Sequence, residues 1–270
     1  MKEKNIVFLG AGSIAEAFVK GLIHHDVVTP HRVAMKNHSN HAHLHYLHET
    51  YGTSFVEGDQ TFQQADIIVL AMKPKDVDCL ADIAHLLQPH TMIISILAGV
   101  TFEGIEKYVG QRPIARLMPN TSAMLGLSAS GAAFNKVVSQ EEREQLLTFF
   151  RTVGTVEIVD EAHMHAITAI AGSGPAYFYY FVECLEQAGV ALGLDAKKGR
   201  ELIIQSMKGA AAMLEATGEE PRVLRENITS PNGTTFEALE VFRQAQLAQI
   251  IQQATEANAN RSKTFSELYR

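Results

Sequence analysis

Asn5-Ile-Val-Phe-Leu-Gly-Ala-Gly-Ser-Ile-Ala15 is the segment that indicates most about the architecture of this 270-residue chain. Its apolar run, Ile6 to Leu9, predicts a buried parallel strand that ends at a glycine-rich turn. An amphipathic helix is predicted to follow directly, from Ser13 to about His24. Strand, glycine turn and helix in this order are typical of the opening of a dinucleotide-binding βαβ unit.

Each small residue of the turn has a physical reason in that interpretation. Gly10 permits the tight turn, Gly12 lets the backbone approach a pyrophosphate, and Ala15 fits where the helix meets the strand. The unpaired N–H groups at the helix start then face the phosphates. The alternative is a glycine-rich turn in a fold that holds no cofactor. The predicted cofactor contacts here are Gly10, Ala11, Gly12, Ser13, Ile14 and Ala15.

Composition sets broad limits on function. An apolar fraction of 46% and a charged fraction of 20% are ordinary for a globular protein with a large core. The formal charge of −7 argues against a nucleic-acid partner, which usually requires a basic face. No signal peptide or membrane-spanning run is recognised, and Cys79 and Cys184 form no motif. A cytoplasmic protein without a membrane partner is predicted.

The end of the second predicted strand, Arg32 to Met35, indicates which dinucleotide is bound. An NAD site usually has an Asp or Glu here for the ribose 2′-hydroxyl, but no acid occurs from Val27 to His48. Lys36, Asn37 and Ser39 offer a positive charge and neutral donors instead. This pattern favours NADPH, with NADH possible, and the alternative is a solvated strand end without adenosine contact.

The next predicted helix is rich in histidine. Four of its histidines, at positions 38, 41, 45 and 48, share one stripe that could in principle bind a divalent metal. No Cys, Asp or Glu completes a recognisable site, so a solvated face is favoured and no metal is predicted.

Further buried strands predict a parallel α/β sheet, a Rossmann-type domain over residues 1–160. Small residues at Ala98 and Gly99 would let a flat nicotinamide ring lie against the backbone. The boundary is placed near Asp160. The strands are expected at Asp66 to Pro74, Thr91 to Leu97, Ile114 to Met118, Ala129 to Phe134 and Val156 to Val159, the last after a helix from Glu141 to Thr152.

Residues 161–270 are predicted to form an all-helical domain. One helix, from Gly174 or Pro175 to about Leu192, carries aromatic residues on more than one face, which indicates burial on several sides. Asp195 is expected to cap the next helix, and a final helical stretch runs from about Thr235 with a break near Phe242. Because this apolar surface exceeds what one small domain covers, a homodimer or higher homo-oligomer through the helical domain is predicted.

Between these helices, the segment Asn227 to Phe236 contains a Pro-Asn-Gly turn that opens a helix. Ser230, Thr234 and Thr235 place three hydroxyl groups around the turn, where backbone donors and the helix dipole converge. An ordinary N-cap accounts for one hydroxyl but not for three. The turn is therefore predicted to bind an anion.

Taken together, these motifs resemble those of pyrroline-5-carboxylate reductases, which catalyse the last step of proline biosynthesis. They run through almost the whole chain in the order of that family. The matching stretches are GAGSIAEA, AMKP, SILAGV, RLMPNTSAMLG, AGSGPAYFYYFVE, ITSPNGTT and ANANRS.

The resemblance implies hydride transfer from NAD(P)H to 1-pyrroline-5-carboxylate, a small-molecule substrate, giving L-proline. Thr235 is expected nearest the ring nitrogen and Ser230 at the carboxylate, and these two are the predicted catalytic residues. The implied substrate contacts are Asn227, Ser230, Asn232, Gly233, Thr234 and Thr235. The further implied cofactor contacts are Lys36, Asn37, Ala71, Met72, Lys73, Pro74, Leu97, Ala98, Gly99 and Asn120.

Three positions depart from the pattern of the family. Asn232 replaces a glycine, Ser122 replaces a usual proline, and Ile14 replaces a common methionine or leucine. Asn tolerates left-handed backbone better than most residues, so Asn232 is compatible with the turn. It could still change affinity or substrate preference.

Two other functions remain open at this point. A 3-hydroxyacid dehydrogenase would require a lysine early in the helical domain, but His163 to Gln187 contains no Lys or Arg. An imine explains that absence, because its nitrogen can already carry the proton. A catalytically silent regulatory paralog is the second alternative, and the retention of both turns argues against it.

Overall fold

A computed structural model describes residues 1–38 and 40–269 and shows a mostly parallel sheet. Its strand order is β3-β2-β1-β4-β5-β6-β7-β8, in which only the β6–β7 pair is antiparallel. The first six strands follow the order of dinucleotide-binding folds. The strands are β1 (Ile6–Leu9), β2 (Val33–Lys36), β3 (Ser54–Phe55), β4 (Ile67–Leu70), β5 (Met92–Ser95), β6 (Ile114–Met118), β7 (Ser128–Phe134) and β8 (Gly154–Ile158).

Helices lie between the strands along the chain, and among the described residues after β8 there are helices but no strands. They are α1 (Ser13–His24), α2 (His41–Tyr51), α3 (Asp59–Gln63), α4 (Leu80–Ile83), α5 (Phe102–Val109), α6 (Gln140–Phe150), α7 (Met164–Ile167), α8 (Gly174–Ala191), α9 (Ala196–Thr217), α10 (Pro221–Asn227), α11 (Thr234–Gln244) and α12 (Leu247–Leu268). A π-helical turn, Thr168–Gly172, lies between α7 and α8.

Helix α1 shows why the N-terminal sequence folds in this way. Its residues Ala15, Phe18, Val19 and Leu22 follow the i, i+3, i+4, i+7 pattern, and each is at most 1% exposed. The ring of Phe18 stacks on Phe149 of α6 with 5.2 Å between centroids. This apolar stripe fixes α1 on one face of the sheet, so its N-terminus lies at the end of β1.

Most elements expected in the first 160 residues are confirmed. The strand Ile6 to Leu9 and the helix Ser13 to His24 have the predicted bounds, and the later strands agree within a few residues. The short elements β3, α3, α4 and α5 were not predicted, because segments of two to eight residues carry little periodic signal. The α/β fold class with a helical C-terminal region is confirmed.

The structure divides into two compact units. One comprises Met1–Pro175 with the last turns of α12 from Glu256 onward, and the other comprises Ala176–Thr255. The proposed boundary near Asp160 stays a prediction. Within the described residues no strand follows β8, as expected for a helical region.

The second unit consists of helices whose starts follow ordinary capping chemistry. The Asp195 side chain accepts a hydrogen bond of 3.0 Å from the Lys198 N–H, which confirms the predicted cap of α9. The break between α11 and α12 follows Gln244, directly after the predicted Phe242-Arg243, and contains Gln246 at φ +54°. Helix α10 was not predicted.

Candidate active site

The backbone around position 10 requires a glycine, whether or not a cofactor is bound. Its φ is +111°, and a Cβ added there would lie 2.3 Å from the carbonyl oxygen of Ala71, at the end of β4. The β1–β4 pairing brings these backbones together, since Ala71 N–H donates to the Leu9 carbonyl at 2.8 Å. The tight turn predicted from the sequence is therefore enforced by the neighbouring strand.

Gly12 has a different reason to be small. It is the N-cap of α1 with φ −84° and ψ −179°, and an added Cβ would meet no described atom within 4 Å. Gly12 and Ser13 are exposed, Ile14 is half-buried and Ala15 is buried. The space beside Gly12 is therefore open, and the pyrophosphate contact of this helix start stays a prediction.

The end of β2 lies beside this turn, as predicted. Lys36 pairs with Leu9, and its carbonyl accepts a hydrogen bond of 2.8 Å from Gly10 N–H. The Lys36 ammonium lies 5.5 Å from the ring centroid of Phe62 in α3. Asn37 is half-buried, and Ser39 lies outside the described residues. The structure thus brings Lys36 and Asn37 to the predicted edge and directs the Lys36 charge toward Phe62.

The ends of β4 and β5 complete the same edge of the sheet. Ala71, Met72 and Pro74 are half-buried and Lys73 is exposed, so all four remain accessible from this edge. At the end of β5, Leu97 is 4% exposed while Ala98 is half-buried.

The smallness of Gly99 has a second explanation that the sequence did not suggest. At φ +79°, a Cβ on Gly99 would lie 2.6 Å from the Cβ of Phe265 in α12. Contact with this helix therefore requires glycine here, independently of any cofactor. The role of the Leu97 to Gly99 segment beside the nicotinamide stays a prediction.

Asn120 is held by hydrogen bonds within the protein. Its side chain accepts from Ser122 N–H and donates to the Ala171 carbonyl, both at 3.0 Å, while its own N–H donates to Ser128 Oγ at 3.0 Å. The residue is 7% exposed. These contacts give Asn120 a structural role at the π-helical turn, and its cofactor contact stays a prediction.

An ion pair between a buried arginine and a half-buried glutamate was not predicted from the sequence. The guanidinium of Arg116 in β6 lies 2.8 Å from Glu161 Oε1, which also accepts a hydrogen bond of 2.7 Å from Phe102 N–H. Nearby, His165 Nδ1 lies 2.9 Å from Ser262 Oγ in α12. Burial lowers the pKa of Arg116 and of His165, and the Arg116 charge lowers that of His165 further. The sequence signal that could have predicted this ion pair is Arg116 itself, a charged residue within the apolar strand β6.

A tight turn precedes α11 and ends at its N-cap, Gly233. Gly233 N–H donates to the Ser230 carbonyl at 3.0 Å, with Asn232 at φ +57°, so the four residues form a type II-like turn. Gly233 is the N-cap of α11 and has no side chain that could accept from its first turn. Thr234 and Thr235 are its first residues.

The groups predicted to bind the substrate are accessible within the helical unit. Asn227, the last residue of α10, is exposed. Six exposed or half-buried positions thus surround one helix start: Asn227, Ser230, Asn232, Gly233, Thr234 and Thr235.

A concavity of about 710 Å³ lies elsewhere on the first unit. It is lined by Phe134, Asn135 and Arg143, among others, near the end of β7. That strand runs antiparallel to β6, so its end lies at the edge of the sheet opposite Gly10. No predicted site residue lines it, and cavity shape alone does not locate the nucleotide turn. Among the residues the structure describes, no helix could cross a membrane and no cluster of three metal-binding side chains occurs.

Comparison with known proteins identifies the family. The model described as pyrroline-5-carboxylate reductase dimerisation matches residues 161–265. Pyrroline-5-carboxylate reductase 1 of Bacillus subtilis is 40% identical over 98% of this chain and 90% of its own length. The chain belongs to the pyrroline-5-carboxylate reductase family. A second model, described as NADP oxidoreductase coenzyme F420-dependent, matches residues 5–99.

Solved structures of pyrroline-5-carboxylate reductases share the complete fold. The enzyme from Coxiella burnetii has a TM-score of 0.89 and 33% identity, covering 97% of this chain and 98% of that one. The Plasmodium falciparum reductase, solved with NADP bound, has a TM-score of 0.89 and 27% identity over 98% and 99%. The predicted family and the NAD(P)H cofactor are thereby confirmed.

Proposed function

We propose that this pyrroline-5-carboxylate reductase prefers NADPH, and that the turn Ser230 to Thr235 binds the carboxylate of 1-pyrroline-5-carboxylate. The observation that carries this proposal is that α1 and α11, the helices that follow the two predicted anion-binding turns, both have a glycine N-cap without a side-chain cap. Each leaves the first backbone N–H groups open to an anion. One helix start suits the pyrophosphate and the other the carboxylate.

The family reaction reduces a cyclic imine to L-proline. NADPH supplies the hydride, which adds to the carbon of the C=N bond. The chain must therefore bind a substrate that is cationic at nitrogen and anionic at the carboxylate. Neutral donors suit this zwitterion better than an arginine would, because a nearby positive charge would disfavour the protonated imine.

The two hydroxyl groups at the ends of the turn are assigned to different parts of the substrate. Ser230 is assigned to the carboxylate, and Thr235, at the second position of α11, is assigned to the ring nitrogen. Asn227, Asn232, Gly233 and Thr234 complete the proposed contacts. Since the imine arrives protonated, no side chain has to act as an essential acid.

The preference for NADPH rests on the acid-free end of β2. Lys36 pairs with Leu9 beside Gly10, and Asn37 follows it, where an NAD site would usually hold an acid. The 2′-phosphate of NADPH would meet no carboxylate from the strand end itself.

The assembly is a homo-oligomer through the helical region, which matches the dimerisation model of the family. We further place the enzyme in the cytosol and the domain boundary near Asp160. The free thiols of Cys79 and Cys184 are compatible with a reducing compartment.

One set of assays tests the function against its alternatives. The purified protein should oxidise NADPH when 1-pyrroline-5-carboxylate is added and form proline, with a lower kcat/KM for NADH. Oxidation of a 3-hydroxy acid with NADP⁺ in the absence of imine reduction would favour the dehydrogenase alternative. Binding of NADPH without turnover of either substrate would identify a silent regulatory paralog.

A further inference from the structure

Arg116 is a buried charge that the proposed reaction does not use. It lies in β6 between the buried Ala115 and Leu117, and its side chain is 4% exposed. Its Nη1 lies 2.8 Å from Glu161 Oε1, whereas its Nε has no hydrogen-bond partner among the described residues. Replacing a buried ion pair by apolar side chains is often neutral or stabilising. The stability of the sheet therefore does not explain why β6 contains an arginine.

The carboxylate of Glu161 connects Arg116 to the start of α5. The same Oε1 atom accepts a hydrogen bond of 2.7 Å from the N–H of Phe102, the first residue of α5. That N–H is one of those that find no partner within their own helix, and the helix dipole also favours a carboxylate at this end. Glu161 lies 59 positions along the chain from Phe102. The ion pair thus fixes the start of α5 from a distant element.

The start of α5 is close in the chain to the segment Leu97 to Gly99. Val100 and Thr101 alone separate the two. Val100 is 0% exposed, and the Thr101 side chain caps α5 by accepting a hydrogen bond of 3.1 Å from Gly104 N–H. Because both connecting residues are held in place, a displacement of α5 would also displace Gly99.

Strand β5 fixes the other end of the same segment. Ser95 is the partner of Arg116 in the β5–β6 register, and its Oγ accepts a hydrogen bond of 3.3 Å from Leu97 N–H. Register partners on neighbouring strands point to the same face of a sheet. Ile93, which precedes Ser95 by two positions, packs in one cluster with Ile105 of α5. Arg116 and Ser95 therefore lie on the face that carries α5.

The last turns of α12 restrict the segment further. A Cβ added to Gly99 would lie 2.6 Å from the Cβ of Phe265, and a Cβ added to Gly104 would lie 2.5 Å from the carbonyl oxygen of Tyr269. The backbones of α12, the segment and α5 are thus in close contact. Leu97 to Gly99 is constrained by α5, by β5 and by α12.

We propose that Glu161 is a positioning residue for hydride transfer. Its carboxylate, oriented by Arg116, holds the start of α5, and α5 holds Leu97 to Gly99 against the nicotinamide ring. The inference rests on the proposed function, in which this segment lies beside the nicotinamide. Glu161 acts through the segment and exchanges no proton with the substrate. A misplacement of about 1 Å can lower a rate by roughly a hundredfold, so partial loss of this support should be visible in kcat.

The first test compares Glu161→Gln with the wild-type oligomer. Glutamine keeps the size and one acceptor oxygen but removes the charge that pairs with Arg116. We expect kcat for imine reduction to fall roughly tenfold. The primary isotope effect from NADPH deuterated at both C4 positions should increase, because hydride transfer becomes slower relative to the other steps. The Kd of adenosine 2′,5′-bisphosphate, which contains no nicotinamide, should be unchanged.

Asp66→Asn is the matched control. Asp66 pairs with Lys4 at 3.0 Å and accepts a hydrogen bond of 2.8 Å from Asn5 N–H, so it makes the same two kinds of contact as Glu161. It directly precedes β4, at the edge of the sheet opposite Gly10. Both variants should lower the thermal midpoint, but only Glu161→Gln should change kcat and the isotope effect. Wild-type kcat in Glu161→Gln, or an equal loss of kcat in the control, overturns the proposal.

A second variant removes the buried charge together with its partner. Arg116→Met combined with Glu161→Met leaves no unpaired ion in the sheet, so this variant should fold even where Glu161→Gln does not. Phe102 N–H then has no carboxylate to bond, and kcat should fall at least as far as in Glu161→Gln. A wild-type kcat and isotope effect in this variant overturn the proposal.

Ala98→Val separates failure of the proposed function from failure of this inference. Ala98 is half-buried in the segment itself, so added methyl groups there should raise the KM of NADPH and leave the Kd of adenosine 2′,5′-bisphosphate unchanged. No effect of Ala98→Val overturns the proposed nicotinamide contact, and the inference with it. A raised KM in Ala98→Val with a wild-type kcat in Glu161→Gln overturns only the positioning role of Glu161.

Discussion

The two compact units differ in where their apolar side chains lie. In the unit that contains the sheet, large residues such as Phe8, Phe18 and Phe149 are 0% exposed. In the unit Ala176–Thr255, no described apolar side chain is buried, and Phe178 and Tyr180 are 60% and 67% exposed. One unit has a core of its own, and the other has apolar faces without one.

This difference shows that apolar side chains can either form a core within one unit or form a surface that another copy of the chain covers. The sheet unit stabilises itself by removing apolar surface from water. The helical unit carries exposed apolar residues on α8, α9, α11 and α12. Soluble monomers rarely expose such a surface, and the homo-oligomer accounts for it. The stability of the second unit therefore depends on a partner copy.

The largest expected effect comes from placing a charge in the helical unit. Phe178→Asp should dissociate the oligomer and reduce helical circular dichroism, because the aspartate loses its hydration if it is buried between subunits. Gln187→Glu, at an exposed polar position of the same helix, is the control and should preserve the oligomer. Sedimentation velocity measures the outcome. A monomer that stays folded and active at low concentration would contradict the dependence on a partner.

A pair of glycine variants separates stability from binding in the sheet unit. Gly10→Ala should lower the free energy of unfolding by about 2–4 kcal/mol, since its Cβ would collide with Ala71. Gly12→Ala meets no described atom and should change stability by less than about 1 kcal/mol while weakening NADPH binding. Denaturation and fluorescence titration measure the two effects. Equal losses of stability would contradict the distinction.

In the helical unit, the turn before α11 should affect catalysis rather than stability. Thr235→Val removes a hydrogen bond to a charged group, worth on the order of 1.5–3 kcal/mol, and should lower kcat/KM by roughly ten- to a hundredfold. NADPH binding should be unchanged.

Thr217→Val is the control for this experiment, because that hydroxyl donates to the Met213 carbonyl and accepts from the Glu219 N–H, both at the C-terminal end of α9. Some activity should remain in Thr235→Val, since the imine carries its own proton. Complete loss would identify Thr235 as an essential acid or proton relay. No effect would remove the turn from the active site.

A smaller effect is expected at the end of β2. Asn37→Asp places a negative charge near the 2′-phosphate and should raise the Kd of NADPH by roughly tenfold, with little change for NADH. Equilibrium titration with both cofactors measures this selectivity. Equal losses for the two would show that Asn37 does not lie near the ribose.

The smallest expected effect is that of Asn232→Gly. Asn232 adopts φ +57°, which glycine adopts more easily, so this change should leave the turn intact and alter stability by at most about 1 kcal/mol. Asn232→Val, which is strained at positive φ, should lower kcat/KM instead. If Asn232→Gly lowered kcat/KM as much, the amide group itself would contact the substrate.

The elements that sequence patterns predicted correctly are those with local signals. The apolar run Ile6 to Leu9, the small residues of the first turn and the periodicity of α1 predicted the nucleotide-binding fold before any contact was known. The cap at Asp195 and the turn at Ser230 to Thr235 were equally local. Each depends on neighbours within a few residues, so a single sequence contains the information.

The constraints that distant neighbours place on a residue became visible in the folded chain alone. Gly10 is fixed by the backbone of Ala71, Gly99 by Phe265, and Asn120 by the carbonyl of Ala171. The direction of Lys36 toward Phe62 and the pairing of His43 with Glu16 were also unpredicted. These contacts join residues 26 to 166 positions apart, and no local propensity or periodicity encodes such a pairing.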